Sequence, residues 1–270
     1  MKKLSIGIIG CGTIGSELAW ASTGVLKGKI EVVALYDTKN EKSEKLSRTL
    51  KKSVAVGSME DLFKRADLIV ESASSAVSLE IVKKAIEKSK TVLVMSVGGL
   101  IASAGLLEEA RKKGVNVYFP SGAVCGIDGL KAAGISKIEK VTLTTRKPLR
   151  GLEGAPYLKE KNIDINAVTG EKVLFEGSAE EAVKGFPKNI NVASILSLAG
   201  IGRKRTGVRI ITSPEYTKNS HEVEISGDFG KITTRTENVP SPRNPKTSAL
   251  AILSAIVTLE GIADSVRMGT

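Results

Sequence analysis

"LSIGIIGCGTIGSELAW", Leu4 to Trp20, decides the fold. An apolar, β-branched run reads as a buried strand; it stops at the turn Gly10-Cys11-Gly12-Thr13-Ile14-Gly15, and a helical pattern begins at once. The turn has the form G-x-G-x-x-G. Gly10 permits the tight bend, Gly12 lets a pyrophosphate approach the backbone at the positive helix end, and Gly15 lets the helix lie close to the sheet. Thr13 and Ile14 fall in the first helical turn, so Gly10, Gly12, Thr13, Ile14 and Gly15 are the candidates for the phosphate end of a dinucleotide. The next strand, "IEVVALYD", ends at Asp37, twenty-two residues beyond Gly15, where a carboxylate would bond the adenosine ribose hydroxyls. Asp37 favours NAD because it repels the 2′-phosphate of NADP, while the nearby Lys39 leaves NADP use open.

Outward from this stretch the same rhythm continues. "DLIVESA", "TVLVMSV" and "VNVYFPSG" are further apolar runs, separated by "MEDLFKRA", "SLEIVKKAIEKS" and "SAGLLEEARKKG", whose apolar residues recur at helical spacing. Near-continuously apolar strands alternating with helices predict an α/β fold: a doubly wound, parallel, Rossmann-type sheet over residues 1–119. Beyond Pro120 the pattern changes. "KIEKVTLTTRKP", "KVLFEG", "TGVRIITS", "HEVEISG" and "FGKITTRTE" alternate like strands with one solvated face, with helical stretches only at "SAEEAVKGF" and "INVASILSLAG". These predict a second, α+β domain over 120–244, built on a mainly antiparallel sheet for substrate binding and dimerisation, with Gly227-Asp228 marking a hairpin. "NVPSPRNP" reads as a loop. Asn244-Pro245 reads as an N-cap and first helical residue, so that a nearly uncharged helix, buried on several sides, completes the first domain over 245–270.

Composition excludes several alternatives. The 270 residues are 41% hydrophobic, enough for ordinary globular cores. No apolar run approaches the ~20 residues of a membrane span, and glycines interrupt the place of a signal peptide's apolar core, which predicts a cytoplasmic protein with no membrane partner. Cys11 and Cys125 lack metal-ligand spacing, so no metal is expected. The net charge of +11 is spread among acidic residues and aromatics are only 4%, a solvated basic surface and not a nucleic-acid platform.

Ligands of open α/β sheets lie beyond the carboxyl ends of the strands. There "SASSAV" (with Ala73 and Ser74), "SVGGL" and "SGAVCGIDG" are small, polar loops suited to a cofactor. In the second domain, "HEVEIS" places the single histidine, His221, on the strand face of Val223 and Ile225, with Glu222 and Glu224 opposite. A catalytic histidine and a core histidine bonded to backbone would both show this pattern. Arg146 and Lys147 in "TTRKP", Asn191 in "FPKNINVA", and Lys246 and Thr247 in "NPKTS" are candidate partners for substrate carboxylates.

Taken together and in this order, "GCGTIG", "SGAVCGIDGLKAA", "TTRKP", "FPKNINVA", "HEVEISGDFG" and "NPKTSALA" closely resemble the L-aspartate dehydrogenase family over most of the chain. The resemblance implies a homodimer that oxidises L-aspartate with NAD or NADP to iminoaspartate, which hydrolyses to oxaloacetate and ammonia or passes to quinolinate synthesis in NAD biosynthesis. It also places Ala123 and Asn189 at cofactor-contacting positions and His221 at the active-site histidine. A homoserine dehydrogenase or dihydrodipicolinate reductase would share the first domain but mismatches the motifs of the second. A non-catalytic NAD(H)-sensing module is the reading from another class.

Overall fold

In a computed structural model the described residues are 3–187 and 191–269, without the side chains of residues 104, 245 and 246. Two units divide the chain, 1–120 with 252–268, and 121–251 with the last two residues.

In the first unit each predicted apolar run is a strand. The chain runs β1 (Leu4–Ile9), α1 (Thr13–Ala21), β2 (Ile30–Tyr36), α2 (Asn40–Thr49), α3 (Met59–Arg65), β3 (Leu68–Glu71), α4 (Ser75–Glu87), β4 (Thr91–Val94), α5 (Ala104–Lys112) and β5 (Val117–Tyr118). The sheet is wholly parallel, in the order β2-β1-β3-β4-β5. Side-chain alternation splits its core in two. Ile6, Ile8, Leu68, Val70 and Leu93 bury one face under α1, while Ile9, Ile69, Val92 and Val94 bury the other under Leu62, Phe63, Ile81 and Val82 of α3 and α4. Near-continuously apolar strands are what a sheet covered on both sides requires. Because β1 is followed by neighbours on opposite sides, the crevice between the ends of β1 and β3 is the switch point where such sheets bind ligands.

The second unit contains α6 (Ile127–Ala133), β6 (Ile138–Pro148), α7 (Pro156–Glu160), β7 (Lys172–Ser178), α8 (Ala179–Gly185), α9 (Asn191–Ala199), β8 (Thr206–Ser213), β9 (Asn219–Gly227) and β10 (Gly230–Asn238). The sheet order is β10-β9-β6-β8-β7. Three pairs are antiparallel, but β6 and β8 run parallel. The sheet is therefore mixed: α8 and α9 carry the chain from the edge strand β7 back into register beside β6, as a parallel pair needs a crossover. A reciprocal capping box of Ser178 and Glu181 starts α8 immediately at the end of β7. Asp228 and Phe229 form the tip of the β9–β10 hairpin.

The "NVPSPRNPKTS" segment corrects the sequence reading. It is not a loop leading into a helix capped by Asn244: β11 (Pro240–Ser241) and β12 (Asn244–Ser248) form a two-stranded ribbon, and α10 spans Ala249–Ala263. Pro245 sits in a strand, where proline is tolerated in so small a ribbon because few ladder bonds are at stake. α10 is also less buried than its lack of charge predicts. Ala255 and Leu259 are buried in the β1 core and Ile252 is buried too, whereas Leu253 and Val257 are 56% and 63% exposed. Lys29 secures the far end of α10 through Glu260 at 2.7 Å and Asp264 at 2.8 Å.

Candidate functional site

The first unit builds a phosphate-binding turn. Gly10 has φ +94 and packs against the backbone of Ser72 and Ala73, where a side chain would collide. Gly15 lies against the Gly10 carbonyl, leaving no room for a Cβ. A Cβ at Gly12 would meet nothing, so the approach to the start of α1 is open. No side chain caps α1 at Gly12; its first N–H groups therefore face the open space as anion donors, with Thr13 and Ile14 in that turn. Asp37 is drawn into the same turn: its Oδ2 accepts from the Cys11 N–H and its Oδ1 from the Lys39 N–H, both at 2.9 Å. This fits a dinucleotide, with a fixed carboxylate one bond away from the glycine loop. The Cys11 thiol is pushed up to about 12, chiefly by burial and then by the Asp37 charge, and is unreactive there.

Ala73 and Ser74 lie beyond β3, where the Ser72 hydroxyl donates to the Gly10 carbonyl at 2.8 Å and joins the two loops. A residue the sequence reading missed holds this edge. Glu71, fully buried, accepts from the Ala73 N–H at 2.9 Å and the Ser96 N–H at 2.8 Å, tying the loops after β3 and β4 together. Burial pushes its carboxyl up, against the pull of those N–H donors. Its signal in the sequence was a charged residue ending the run "LIVE", in register with the other strand ends.

In the second unit, register assembles one face. His221 pairs with Thr145 of β6 on one side and Thr236 of β10 on the other, and Thr145 pairs with Ile210 of β8. Residues opposite one another share a face, so Leu143, Thr145, Lys147, His221, Val223 and Thr236 line one surface. His221 is buried with Val223 and Ile225, as the alternation requires. Its Nδ1 lies 3.1 Å from the Thr145 hydroxyl, which fixes the ring. Burial, then the charge of Lys147, lowers its pKa to about 3, so the imidazole is neutral across the physiological range. Lys147, also buried, is lowered to about 8 by burial alone.

The "SGAVCG" loop is bound to this surface by the edge strand. The Thr236 hydroxyl donates to the Ala123 carbonyl at 2.9 Å and the Asn238 amide donates to the same oxygen at 3.0 Å, while the Thr234 hydroxyl reaches the Cys125 carbonyl at 3.1 Å. The buried Asn238 then accepts from the Ser248 hydroxyl at 2.6 Å, attaching the ribbon that carries Thr247. Thr234, Thr236 and Asn238 were absent from the sequence reading, although polar residues at every second position of an edge strand were their signal. Thus Ala123, His221, Lys147 and the β12 ribbon come together. Arg146 does not: it emerges on the opposite face and pairs with Glu222 at 3.3 Å. Asn191 opens α9. Asn189 lies outside the described residues, as does the side chain of Lys246.

Comparison with known proteins matches the chain in two parts. The C-terminal model of aspartate dehydrogenase matches residues 128–262, and the NAD-binding domain model of homoserine dehydrogenase matches residues 10–120. The L-aspartate dehydrogenase of Methanosarcina mazei is 48% identical over 274 residues, covering 99% of this chain and 100% of that protein. That of Methanococcoides burtonii is 46% identical over 273 residues, with the same coverage. The crystal structure of aspartate dehydrogenase from Thermotoga maritima superposes with a TM-score of 0.74 at 25% identity, covering 100% of both chains. A homoserine dehydrogenase structure from Thiobacillus denitrificans shares the fold, with a TM-score of 0.64 at 14% identity over 97% of this chain and 74% of that one. With matches along its whole length, a parallel dinucleotide sheet and a glycine turn shaped for the cofactor, the chain belongs to the L-aspartate dehydrogenase family of NAD(P)-dependent oxidoreductases.

Proposed function

We propose that the protein oxidises L-aspartate to iminoaspartate with NAD, or with NADP in its place. The product hydrolyses to oxaloacetate and ammonia or passes to quinolinate synthesis, and the working form is a cytoplasmic homodimer. The observation that carries this reading is the joining of His221 and Ala123 through Thr236, which gathers the histidine strand and the "SGAVCG" loop into one hydrogen-bonded surface.

In this reading the amides around Gly12, Thr13 and Ile14 hold the pyrophosphate, with Gly10 and Gly15 shaping the turn, and Asp37 takes the ribose hydroxyls. Ala73, Ser74, Ala123 and Asn189 contact the rest of the cofactor, which when bound supplies the hydride acceptor. Asn191, Lys246 and Thr247 serve the substrate carboxylates; Arg146, already paired with Glu222, is left out. His221 is the catalytic imidazole. Held by Thr145 and neutral, it hydrogen-bonds the substrate amine and orients the water that attacks the imine. Preorganised, water-poor surroundings make such bonds count. The exposed Leu253 and Val257 on α10 support a second copy covering that helix.

The test is direct. Purified protein with NAD and L-aspartate should produce reduced cofactor, and oxaloacetate with ammonia should consume it. Inertness in both directions would overturn the reading.

A further inference from the structure

Lys147 is an amine in a position where folding has no use for one. It is 8% exposed, sits on the His221 face of β6, and pairs in register with Thr212, whose hydroxyl donates at 2.8 Å to the Lys147 backbone carbonyl, leaving the side chain out. Among the described residues no carboxylate or other acceptor meets its Nζ. The small pocket along its stem is mainly apolar, formed by Leu143, Val208, Ile210 and Phe186, with Thr145, whose hydroxyl is engaged with His221, the one polar side chain beside the lysine. Arg146, one residue away, shows the contrast, since its guanidinium has a carboxylate partner.

A buried, unpaired ammonium is costly, so the group gives up its proton more readily than an exposed lysine does. The charged and titratable surroundings are simple. From β9 His221 faces it; β8 contributes Thr212; α8 and α9 contribute only Ala182 and Ala193 to the pocket. Among the described residues nothing there restores the charged form, and burial holds the lysine at about 8. His221, in the same surroundings, stands at about 3. An imidazole of that basicity returns any proton that an α-ammonium of about 8 or higher gives it, whereas the lysine amine is matched to the transfer.

We propose that Lys147, and not His221, is the catalytic base that takes the proton from the substrate's α-ammonium group. The proposal rests on the aspartate oxidation set out above. One N–H bond of the ammonium breaks and its proton forms a bond with the Lys147 Nζ. The nitrogen lone pair so released forms the C=N bond as hydride, with both electrons of the Cα–H bond, leaves for the oxidised nicotinamide. Substrate is oxidised, cofactor reduced, and the proton stays on Lys147. In reverse, the lysine returns it.

Two measurements test this. In the wild-type protein labelled with 13C at lysine Cε, one lysine should titrate near 8 and be missing from the spectrum of Lys147→Arg. In kinetics, the acidic limb of kcat/KM for L-aspartate should follow the same pKa. Lys147→Arg, which keeps the cation, and Lys147→Ala should both lose ~100-fold or more in kcat, the range for a general base, while still binding NAD; methylamine should restore part of the Lys147→Ala activity. Three results would overturn the role: a Lys147→Arg variant as active as wild type, no lysine titrating below about 10, or a Lys147→Ala variant with raised KM but unchanged kcat, the mark of a carboxylate counter-ion. A wild-type protein inert toward aspartate defeats the underlying reaction instead, and the two failures are distinguishable.

Discussion

Replacing Lys147 by methionine should make the protein more stable at neutral pH. The lysine is 8% exposed, and burial lowers it from an ordinary 10.5 to about 8. At about 1.4 kcal/mol for each tenfold change in proton affinity, forcing the charged form into the fold costs about 3 kcal/mol. The sign follows from proton counts. Between about 8 and 10.5 the unfolded chain holds the extra proton, so wild-type stability from this site rises with pH; below about 8 the whole penalty is present. Methionine has a similar stem and no charge, so urea melts at pH 7 should show a gain of up to about 3 kcal/mol, reduced by imperfect packing. Because other groups titrate equally in both proteins, the difference between them should shrink to near zero by pH 11. A variant no more stable than wild type at pH 7, or a gain independent of pH, would refute the claim that an unpaired charge is buried there.

Other outcomes follow from the same geometry. His221→Ala should retain NAD binding but lose ~100-fold or more in turnover, the range for removing a preorganised hydrogen-bonding group, as stopped-flow or steady-state rates would show. Asp37→Ala should weaken NAD by roughly tenfold to a hundredfold, the worth of hydrogen bonds to a charged group, with little change for NADP, measured by fluorescence titration. Gly15→Ala should lower the melting temperature and abolish cofactor binding, since a Cβ there collides with the Gly10 carbonyl. Glu71→Ala should cost about 2 kcal/mol or more by stranding the Ala73 and Ser96 N–H groups, read by chemical denaturation.

How much was legible varied with the length of the pattern. The parallel sheet was, because β1 to β4 are near-continuously apolar and the glycine turn follows β1. The inward direction of His221 was too, since alternation over nine residues of β9 has one solution. The β6–β8 parallel pairing was not: pairing partners are set by a crossover that no local pattern encodes. The ribbon at Asn244–Ser248 imitated a helix start because Asn-Pro is the ordinary cap pair, and tertiary bonds such as Ser248 to Asn238 outweighed it. Arg146 and Lys147 looked alike in "TTRKP"; one step of strand alternation sends them to opposite faces, one to Glu222 and the other into the site. Glu71 through Ser96, and Thr236 through Ala123, act on backbone groups far away in sequence, which spacing does not reveal.

Among the described residues, Asp37 bonds to Cys11 and Lys39, while the His221 surface is held by Thr145 and by bonds that run from Ala123 through Thr236 and Asn238 to Ser248. With the roles proposed for Asp37 and His221, coenzyme choice and amino-acid chemistry draw on different hydrogen bonds. Such a protein can change its preference for one dinucleotide over another without retuning its treatment of the amine, and a laboratory redesign can alter either trait alone.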